Sequence, residues 1–232
     1  LRGGEVVVIN MAESLANLNH EVYVINHCQK DEKINNVNWI NIDKIKEKKI
    51  KIDCDAGISN ADANNLALVL TKKKFVLSHS IQRFEKFVRK GQFMPFMIHK
   101  PTIIVLGKYH CTNRSRITSL FGKKILTYTV DKMFINETLL DFVPNNQVIF
   151  SSRPDRNLNL LLDVWNSKIS NKCPNVKLLI NPPYILKEKD KNIMIRKLGD
   201  QKDLLHDLKK SRAMLVPGHK AELFCLAAEE AK

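Results

Sequence analysis

The feature that most constrains the fold is an alternation of short apolar runs with helix-like stretches along the 232 residues. Runs rich in β-branched residues predict strands, and the stretches between them, such as 5–18 and 61–70, have helical periodicity. In the first half the predicted strands are 22–26, 37–42, 54–59, 75–78, 102–106 and 124–129. Strands that alternate with helices form parallel sheets with covered faces. The sequence therefore predicts an α/β fold.

The alternation is interrupted once, at "VPNNQ", residues 143–147, where Pro and two Asn separate two regular patterns. The second pattern predicts strands at 147–152, 176–181, 193–198 and 213–217, with helices at 157–169, 202–210 and 223–231. We therefore predict two Rossmann-like domains, 1–145 and 146–232.

The two ends of the sequence add an expectation about completeness. "LRGGE" at the start has the composition of a glycine loop that follows a strand, and residues 223–231 have no helix stop signal. We expect a fragment, in which the first strand and the end of the second domain are missing.

Charge and cysteine content narrow the function classes. The formal net charge of +14 favours anionic partners, such as nucleic acid, anionic lipid or phosphorylated small molecules. Five scattered cysteines without a C-x-x-C pair argue against a disulfide framework and a structural zinc site. A cytoplasmic location is expected.

Three segments have the residue types of a phosphate site. In the first, Gly3 and Gly4 at a strand-to-helix turn let backbone N–H groups approach a phosphate. A tight turn without a ligand explains the pair equally well. The G-x-G-x-x-G fingerprint is absent, so a dinucleotide cofactor is not indicated.

The second segment is "SSRPDRN", 151–157, between a predicted strand and a predicted helix. Ligands of open α/β sheets bind outside the carboxyl ends of strands, and Arg153 and Arg156 there can bind a diphosphate. The alternative is a solvated turn in which Asp155 neutralises an arginine.

The third segment is "VPGHKAELFCLAAEEA", 216–231. A helix starting near position 223 would direct the amides of Leu223, Phe224, Cys225 and Leu226 at phosphate oxygens. Glu222 could accept hydrogen bonds from sugar hydroxyls, and Glu230 from a ribose diol. The alternative is a capping carboxylate followed by a surface carboxylate.

Taken together, "RGGEVVVINMAESLANLNHEVYV", "IFSSRPDRNLNLLLDVW" and "SRAMLVPGHKAELFCLAAEEA" resemble the retaining glycosyltransferases of family 4, which have the GT-B fold. The segments follow the family's order and spacing, including the E-x7-E pair Glu222 and Glu230. Leu223-Phe224-Cys225 replaces the family's usual Pro-Phe-Gly, and Arg156-Asn157 replaces Lys-Gly.

The resemblance implies roles for these residues. Arg153 and Arg156 would neutralise the leaving diphosphate, and Glu222 would contact the transferred sugar. Glu230 would bind the ribose, and the Gly4 amide would lie near the diphosphate.

Two histidines at predicted strand ends are further candidates. His79 matches a position at which such enzymes often carry a histidine near the reacting sugar, so it joins the catalytic set. A strand-end histidine satisfied by the backbone is the alternative. His110 is a weaker candidate.

The implied activity is transfer of a hexose from a nucleotide sugar to a glycan or lipid-linked acceptor, with retention of anomeric configuration. The domain 1–145 would face the acceptor and 146–232 would bind the donor. No cofactor or metal is expected, because cationic side chains are available for the diphosphate. Asp53 and Asp55 form a D-x-D, but at the amino end of a strand. The alternatives are a nucleic-acid-binding protein, for which no recognised module is evident, and an inactive GT-B-like protein.

The basic segment 83–96 suggests a second partner. Phe84, Phe87 and Val88 share a helical face that is flanked by basic residues, which suits contact with an anionic membrane. Packing of this helix on its own domain is the alternative. The location expected with membrane contact is peripheral, on the inner membrane face.

Overall fold

The computed structural model describes residues 3–81, 83–128, 130–135, 144–181, 192–197, 199–219 and 222–232. It divides the chain into two compact units, Leu1–Thr129 and Val130–Lys232. The sequence places the division at 145/146, whereas the units divide at 129/130; residues 136–143, between these positions, lie outside the described part.

The first unit is built from strands that alternate with helices and short turns. Its strands are β1 (Val22–Asn26), β2 (Glu32–Ile34), β3 (Val37–Asn41), β4 (Ile52–Asp53), β5 (Ala56–Asn60), β6 (Val69–Leu70), β7 (Lys73–Leu77), β8 (Thr102–Val105) and β9 (Lys123–Ile125). Its α-helices are α1 (Gly3–Asn17), α2 (Ile42–Glu47), α3 (Phe84–Arg89), α4 (Phe93–His99) and α5 (Lys108–Thr112). Its described residues also include two 3₁₀ turns, Ala63–Leu68 and Arg116–Leu120.

The strands of the first unit form three sheets. One has the order β5-β7-β8-β9 and is parallel throughout. A second has the order β1-β3-β2, in which β1 and β3 are parallel and β2 is antiparallel. The third is the short parallel pair β4 and β6. Parallel pairing needs crossover connections, which the intervening helices and turns supply.

The core of the first unit lies around the four-stranded sheet. Phe96 of α4 is fully buried; its ring centroid is 4.9 Å from that of Phe87 and 5.2 Å from that of Phe121. Offset or edge-on aromatic pairs of this kind add stability beyond the buried area. A smaller core joins α1 to β1 and β3 through Ala12, Ala16 and Val37.

The second unit has one described sheet with helices packed on it. Its strands are β10 (Asn145–Phe150), β11 (Lys177–Ile180), β12 (Ile193–Ile195) and β13 (Ser211–Met214), in the parallel order β12-β11-β10-β13. Its α-helices are α6 (Lys132–Ile135), α7 (Leu158–Val164), α8 (Ser170–Lys172), α9 (Gln201–Lys210) and α10 (Leu226–Glu230), with a π-helical turn at Trp165–Ile169. The core contains Phe150, Leu158, Trp165 and Leu178.

The α/β class and the parallel sheets are therefore confirmed. The strand predicted at 22–26 is found at those bounds, and the helix predicted at 202–210 is α9, which Asp200 and Asp203 start with a capping box. Other elements differ. The helix predicted at 61–70 is a 3₁₀ turn followed by β6, and the final helix is shorter than predicted.

The amphipathic helix predicted in 83–96 is also different, because two short helices, α3 and α4, occupy this region. Phe87, expected to share a face with Phe84 and Val88, is 2% exposed, whereas those two are about half exposed. Within the part of the chain that is described, no helix combines the length and apolarity that crossing a bilayer requires.

Candidate functional site

The first unit gathers three polar side chains at one edge of its four-stranded parallel sheet. Asn60 is the last residue of β5, His79 follows β7, and Tyr128 follows β9. The carboxyl ends of parallel strands share one edge, so these residues converge although they are far apart in sequence. The structure therefore places His79 at the predicted strand end and surrounds it with side chains that sequence reasoning did not identify.

Both ring nitrogens of His79 are engaged by these neighbours. The Tyr128 hydroxyl contacts Nδ1, and Nε2 contacts Asn60 Oδ1. Burial raises the pKa of Tyr128, so its phenol keeps its proton and donates to Nδ1. Burial also lowers the pKa of His79, so the imidazole is neutral and donates from Nε2 to Asn60. Both ring nitrogens of His79 are thus hydrogen-bonded to side chains, whereas the alternative from the sequence was hydrogen bonding to the backbone.

Gly4 lies against the same histidine. A side-chain carbon at Gly4 would be 3.4 Å from Cε1 of His79, which is ordinary van der Waals contact. The start of α1 and the carboxyl edge of the four-stranded sheet therefore meet at this point. Gly3 and Gly4 are the first two residues of α1.

His110, the weaker candidate, is a structural residue of α5. It is 2% exposed, Nδ1 accepts from the Leu106 N–H at 3.2 Å, and Nε2 lies 3.1 Å from the Ser80 carbonyl oxygen. Because Nδ1 accepts, Nε2 carries the hydrogen and donates it to Ser80. These bonds connect the ends of β7 and β8, so the structure gives His110 a structural role.

The histidines of the first unit predict how its stability depends on pH. Burial lowers the pKa of His79, His99 and His110, whereas each would have its ordinary value of about 6.5 in the unfolded chain. At a pH between the folded-state and the unfolded-state pKa, the unfolded chain binds more protons than the folded chain. The stabilisation that depends on these neutral histidines is therefore fully present above about pH 6.5, and it is lost as the pH falls through their folded-state pKa values.

We expect the free energy of unfolding to be level from pH 8 to 7 and to decline from pH 6.5 to 5. Each additional proton bound by the unfolded chain contributes at most about 1.4 kcal/mol per pH unit. Urea unfolding at four pH values measures this, with His79→Asn expected to reduce the slope. A profile that rises toward pH 5 would contradict the prediction.

In the second unit, the loops after β10 and β13 lie side by side because these strands are neighbours. Arg156 Nη1 is 2.9 Å from Nδ1 of His219, and the Asn157 amide donates to the Gly218 carbonyl oxygen. A guanidinium only donates, so Nδ1 of His219 is the acceptor. Arg156 is therefore held at the carboxyl edge of the sheet, which is the position predicted for it.

Arg153 is placed differently from Arg156. Its Nη2 lies 3.0 Å from Asp155 Oδ2, and both side chains are more than half exposed. This is the exposed ion pair that the solvated-turn alternative described. Exposed pairs contribute about 0–1 kcal/mol, so an anion can compete with Asp155 for this guanidinium at little cost.

Cys225 brings Glu222 and Ser152 together. Its thiol is hydrogen-bonded to the side chains of both residues; burial, reinforced by the charge of Glu222, raises the pKa of this thiol. The Glu222 N–H donates to the His219 carbonyl oxygen at 2.9 Å, which closes the turn before α10. Glu222 and Ser152 are thus joined through the side chain of Cys225.

The helix after this turn begins later than predicted. It was expected at 223–231, but α10 is only Leu226–Glu230, with Cys225 as its N-cap. The backbone carbonyl oxygen of Cys225 accepts from the Ala228 and Glu229 N–H groups. Leu226 therefore provides the first helical amide, whereas Leu223 and Phe224 precede the helix, and their predicted role as amides of its first turn is wrong.

Glu230, at the end of α10, is half-buried. Burial and the nearby carboxylate of Asp131 raise the pKa of Glu230. Asp131 Oδ1 accepts from the Met133 N–H at 2.9 Å, which fixes it at the start of α6. The oxygens of both carboxyl groups can accept hydrogen bonds from hydroxyl groups.

Sequence reasoning missed a buried arginine at this edge. Arg196, directly after β12, is 8% exposed; its Nε lies 2.6 Å from Asp207 Oδ2, and its Nη1 lies 2.8 Å from Asn181 Oδ1. Asn181 in turn donates to the Ser151 carbonyl oxygen at 3.0 Å. The network joins α9 to the ends of three strands. The sequence feature that marks it is an arginine directly after the apolar run 193–195, whereas the predicted strand extends to 198.

The D-x-D pair lies where the sequence predicted, at the amino edge of the four-stranded sheet. Asp53 is in β4 and Asp55 directly precedes β5. Both line a cavity of about 650 Å³ together with lysines and a histidine: Lys51, Lys72, Lys73, Lys74 and His99. Lys74 Nζ is 3.2 Å from His99 Nδ1. Among the described residues, no group of three His, Cys, Asp or Glu side chains could hold a metal ion.

Comparison with known proteins does not assign this chain to a family. No family model matches it, and no curated protein matches its sequence.

Proposed function

We propose that this protein is a glycosyltransferase of the GT-B type, with two Rossmann-like lobes, that transfers a hexose from a nucleotide sugar with retention. The observation that carries the proposal is the joining of two loops at the carboxyl edge of the second unit's parallel sheet. There Arg156 and Asn157, after β10, contact His219 and Gly218, after β13. A guanidinium fixed at such an edge is suited to bind a diphosphate.

The reacting sugar has candidate partners near the same loops. Glu222 is anchored by its N–H to His219 and by its side chain to Cys225. A carboxylate in this position can accept from sugar hydroxyls and stabilise positive charge at the anomeric carbon. Glu230 and its neighbour Asp131 are the proposed partners of the ribose diol.

The proposed chemistry uses no enzyme nucleophile. The bond between the anomeric carbon and the diphosphate oxygen breaks, and negative charge accumulates on the diphosphate. Arg156, and Arg153 after release from Asp155, stabilise that charge. A phosphate oxygen takes the proton of the acceptor hydroxyl, which attacks the same face of the sugar, so the configuration is retained.

A panel of nucleotide sugars tests the proposal directly. UDP-glucose, UDP-N-acetylglucosamine, GDP-mannose and ADP-glucose are each added at millimolar concentration, and the midpoint of thermal unfolding is measured. Binding at 100 times Kd stabilises the folded state by about 2.7 kcal/mol. We expect one donor to raise the midpoint and Glu230→Gln to reduce that shift. No shift with any donor would count against the function, and a shift with an RNA oligonucleotide instead would favour the nucleic-acid alternative.

We also propose that the first unit contacts an anionic membrane surface. Helices α3 and α4 expose apolar side chains, among them Met94 at 61% and Ile98 at 68%. Exposed basic residues adjoin them: Arg83, Arg89, Lys90 and Lys100. Exposed apolar and basic side chains in one short segment are typical of surfaces that lie in the interface of anionic lipid. The proposed location is peripheral, on the cytoplasmic face.

Vesicle binding checks this second proposal. The chain should sediment with phosphatidylserine vesicles at low salt and dissociate as salt is raised, since each nearby basic residue contributes about 1 kcal/mol to attraction. Replacement of Met94 and Ile98 by aspartate should reduce binding by at least about tenfold. The matched control is Leu18→Asp, at an equally exposed leucine of the same unit. Equal binding by both variants, or none by the wild type at low salt, would leave packing as the only role of these helices.

A further inference from the structure

A groove of about 670 Å³ lies within the first unit, between β1 and β5 and against α1. On one side it is lined by residues 22–25 of β1, and on the other by residues 56–60 of β5. Four apolar side chains of α1 line it as well: Val8, Met11, Ala12 and Leu15.

The lining identifies the groove as a space between two strand edges. Side chains of a strand alternate between the two faces, so a strand that presents one face lines a cavity with every second residue. Here consecutive residues of both strands line it, so both present their backbone edges. In the described sheets β1 pairs with β3 and β5 pairs with β7, and each ends its sheet.

Two facing edges in an apolar groove restrict the occupant to one kind of structure. Each edge offers backbone N–H and C=O groups that need partners. An extended chain can satisfy both edges at once, because its own N–H and C=O groups point alternately to its two sides, at about 4.7–4.9 Å from each neighbour. Because apolar side chains of α1 line the groove, the side chains of the extended chain that face α1 must also be apolar.

The direction of the occupant follows from α1. This helix begins beside His79, at the carboxyl edge of the four-stranded sheet, and a short turn around Asn19 leads from its end into β1. Therefore β1 runs in the same direction as β5. A strand running in that direction ends where α1 begins, and strand, α1 and β1 then form a β-α-β unit, for which right-handed crossover is the general rule.

We propose that the groove holds an extended apolar segment of about five residues that leads directly into α1 and pairs in parallel with β1 and β5. It would join the two sheets into one, in the order β2-β3-β1-segment-β5-β7-β8-β9. The inference rests on the groove and does not depend on the proposed function. It also places the end of the new strand at Gly3 and Gly4, next to His79.

The test compares the 232-residue chain with two extended forms. One carries Val-Ile-Val-Val-Ile fused ahead of Leu1, and the matched control carries Val-Ile-Pro-Val-Ile, whose proline cannot donate in a ladder. The readout is hydrogen exchange of the alternate amides in 22–25 and 56–60 that do not pair with β3 or β7. We expect the first extension to slow them by about tenfold or more and the proline control to leave them nearly unchanged.

Three results would overturn the proposal. Unchanged exchange in both fusions would exclude a strand in the groove, and slowing elsewhere on the unit would place the extension at another site. Concentration-dependent protection of the same amides in the unextended chain, with a dimer in sedimentation, would identify a second copy as the occupant. Slowing by the free Val-Ile-Val-Val-Ile peptide at millimolar concentration, weaker than in the fusion, would support a strand-accepting groove independently of the fusion.

Discussion

Replacement of Arg156 by alanine is expected to lower kcat for the proposed sugar transfer by about 10²–10³. The guanidinium is held 2.9 Å from His219 at the carboxyl edge of the sheet, so it needs little reorganisation to meet charge that grows on the leaving diphosphate. Loss of an interaction made mainly in the transition state lowers kcat and kcat/KM together. Steady-state kinetics with the donor that stabilises the protein measures both.

Two comparisons make this prediction specific. Arg153→Ala should have a smaller effect, because Arg153 is exposed and already paired with Asp155. Arg116→Ala removes an exposed arginine of the first unit and controls for the change in net charge. Full activity in a variant lacking both Arg153 and Arg156 would refute the roles assigned to them.

Replacement of Asp207 by alanine is expected to destabilise the second unit by about 3 kcal/mol, because it leaves the guanidinium of Arg196 without its carboxylate. The Arg196 side chain is 6% exposed and that of Asp207 26%, so water can replace only part of the lost interaction. Urea unfolding followed by tryptophan fluorescence measures this in a Trp39→Phe background, where buried Trp165 is the remaining tryptophan.

Two control variants distinguish the effect of leaving a buried charge unpaired from the effect of removing a carboxylate from a helix. Asp163→Ala removes an exposed carboxylate from α7 and should change stability by less than about 0.5 kcal/mol. Arg196→Met in the Asp207→Ala background should recover part of the loss, since it removes the unpaired charge. A loss below about 1 kcal/mol in Asp207→Ala would contradict the importance of this network.

Periodicity was enough to predict the strands and several helices. The run 22–26 is apolar and bounded by turn residues, and α9 has both a capping box and an amphipathic face, so local sequence and tertiary packing agree there. The position of Arg156 could also be predicted, because a residue that follows a strand of a parallel sheet lies at its carboxyl edge.

Contacts between distant segments could not be predicted in the same way. Asn60 and Tyr128 reach His79 only through the strand order β5-β7-β8-β9, which periodicity does not contain. The Cys225 thiol, at the N-cap of α10, bonds to Ser152 as well as to Glu222, and Ser152 belongs to a distant segment of the chain. Helical periodicity groups Phe87 with Phe84 and Val88, but its burial depends on Phe96, which belongs to the next helix.

Calorimetric titration with nucleoside diphosphates tests the central claim most directly. UDP, GDP and ADP are titrated separately into the wild-type chain and the Arg156→Ala and Arg116→Ala variants. We predict that one diphosphate binds the wild type and Arg116→Ala with a Kd of about 1 mM or lower, corresponding to about −4 kcal/mol or better, and binds Arg156→Ala at least about tenfold more weakly. Absence of binding by all three, or equal affinity for wild type and Arg156→Ala, would contradict a nucleotide-sugar site at this edge.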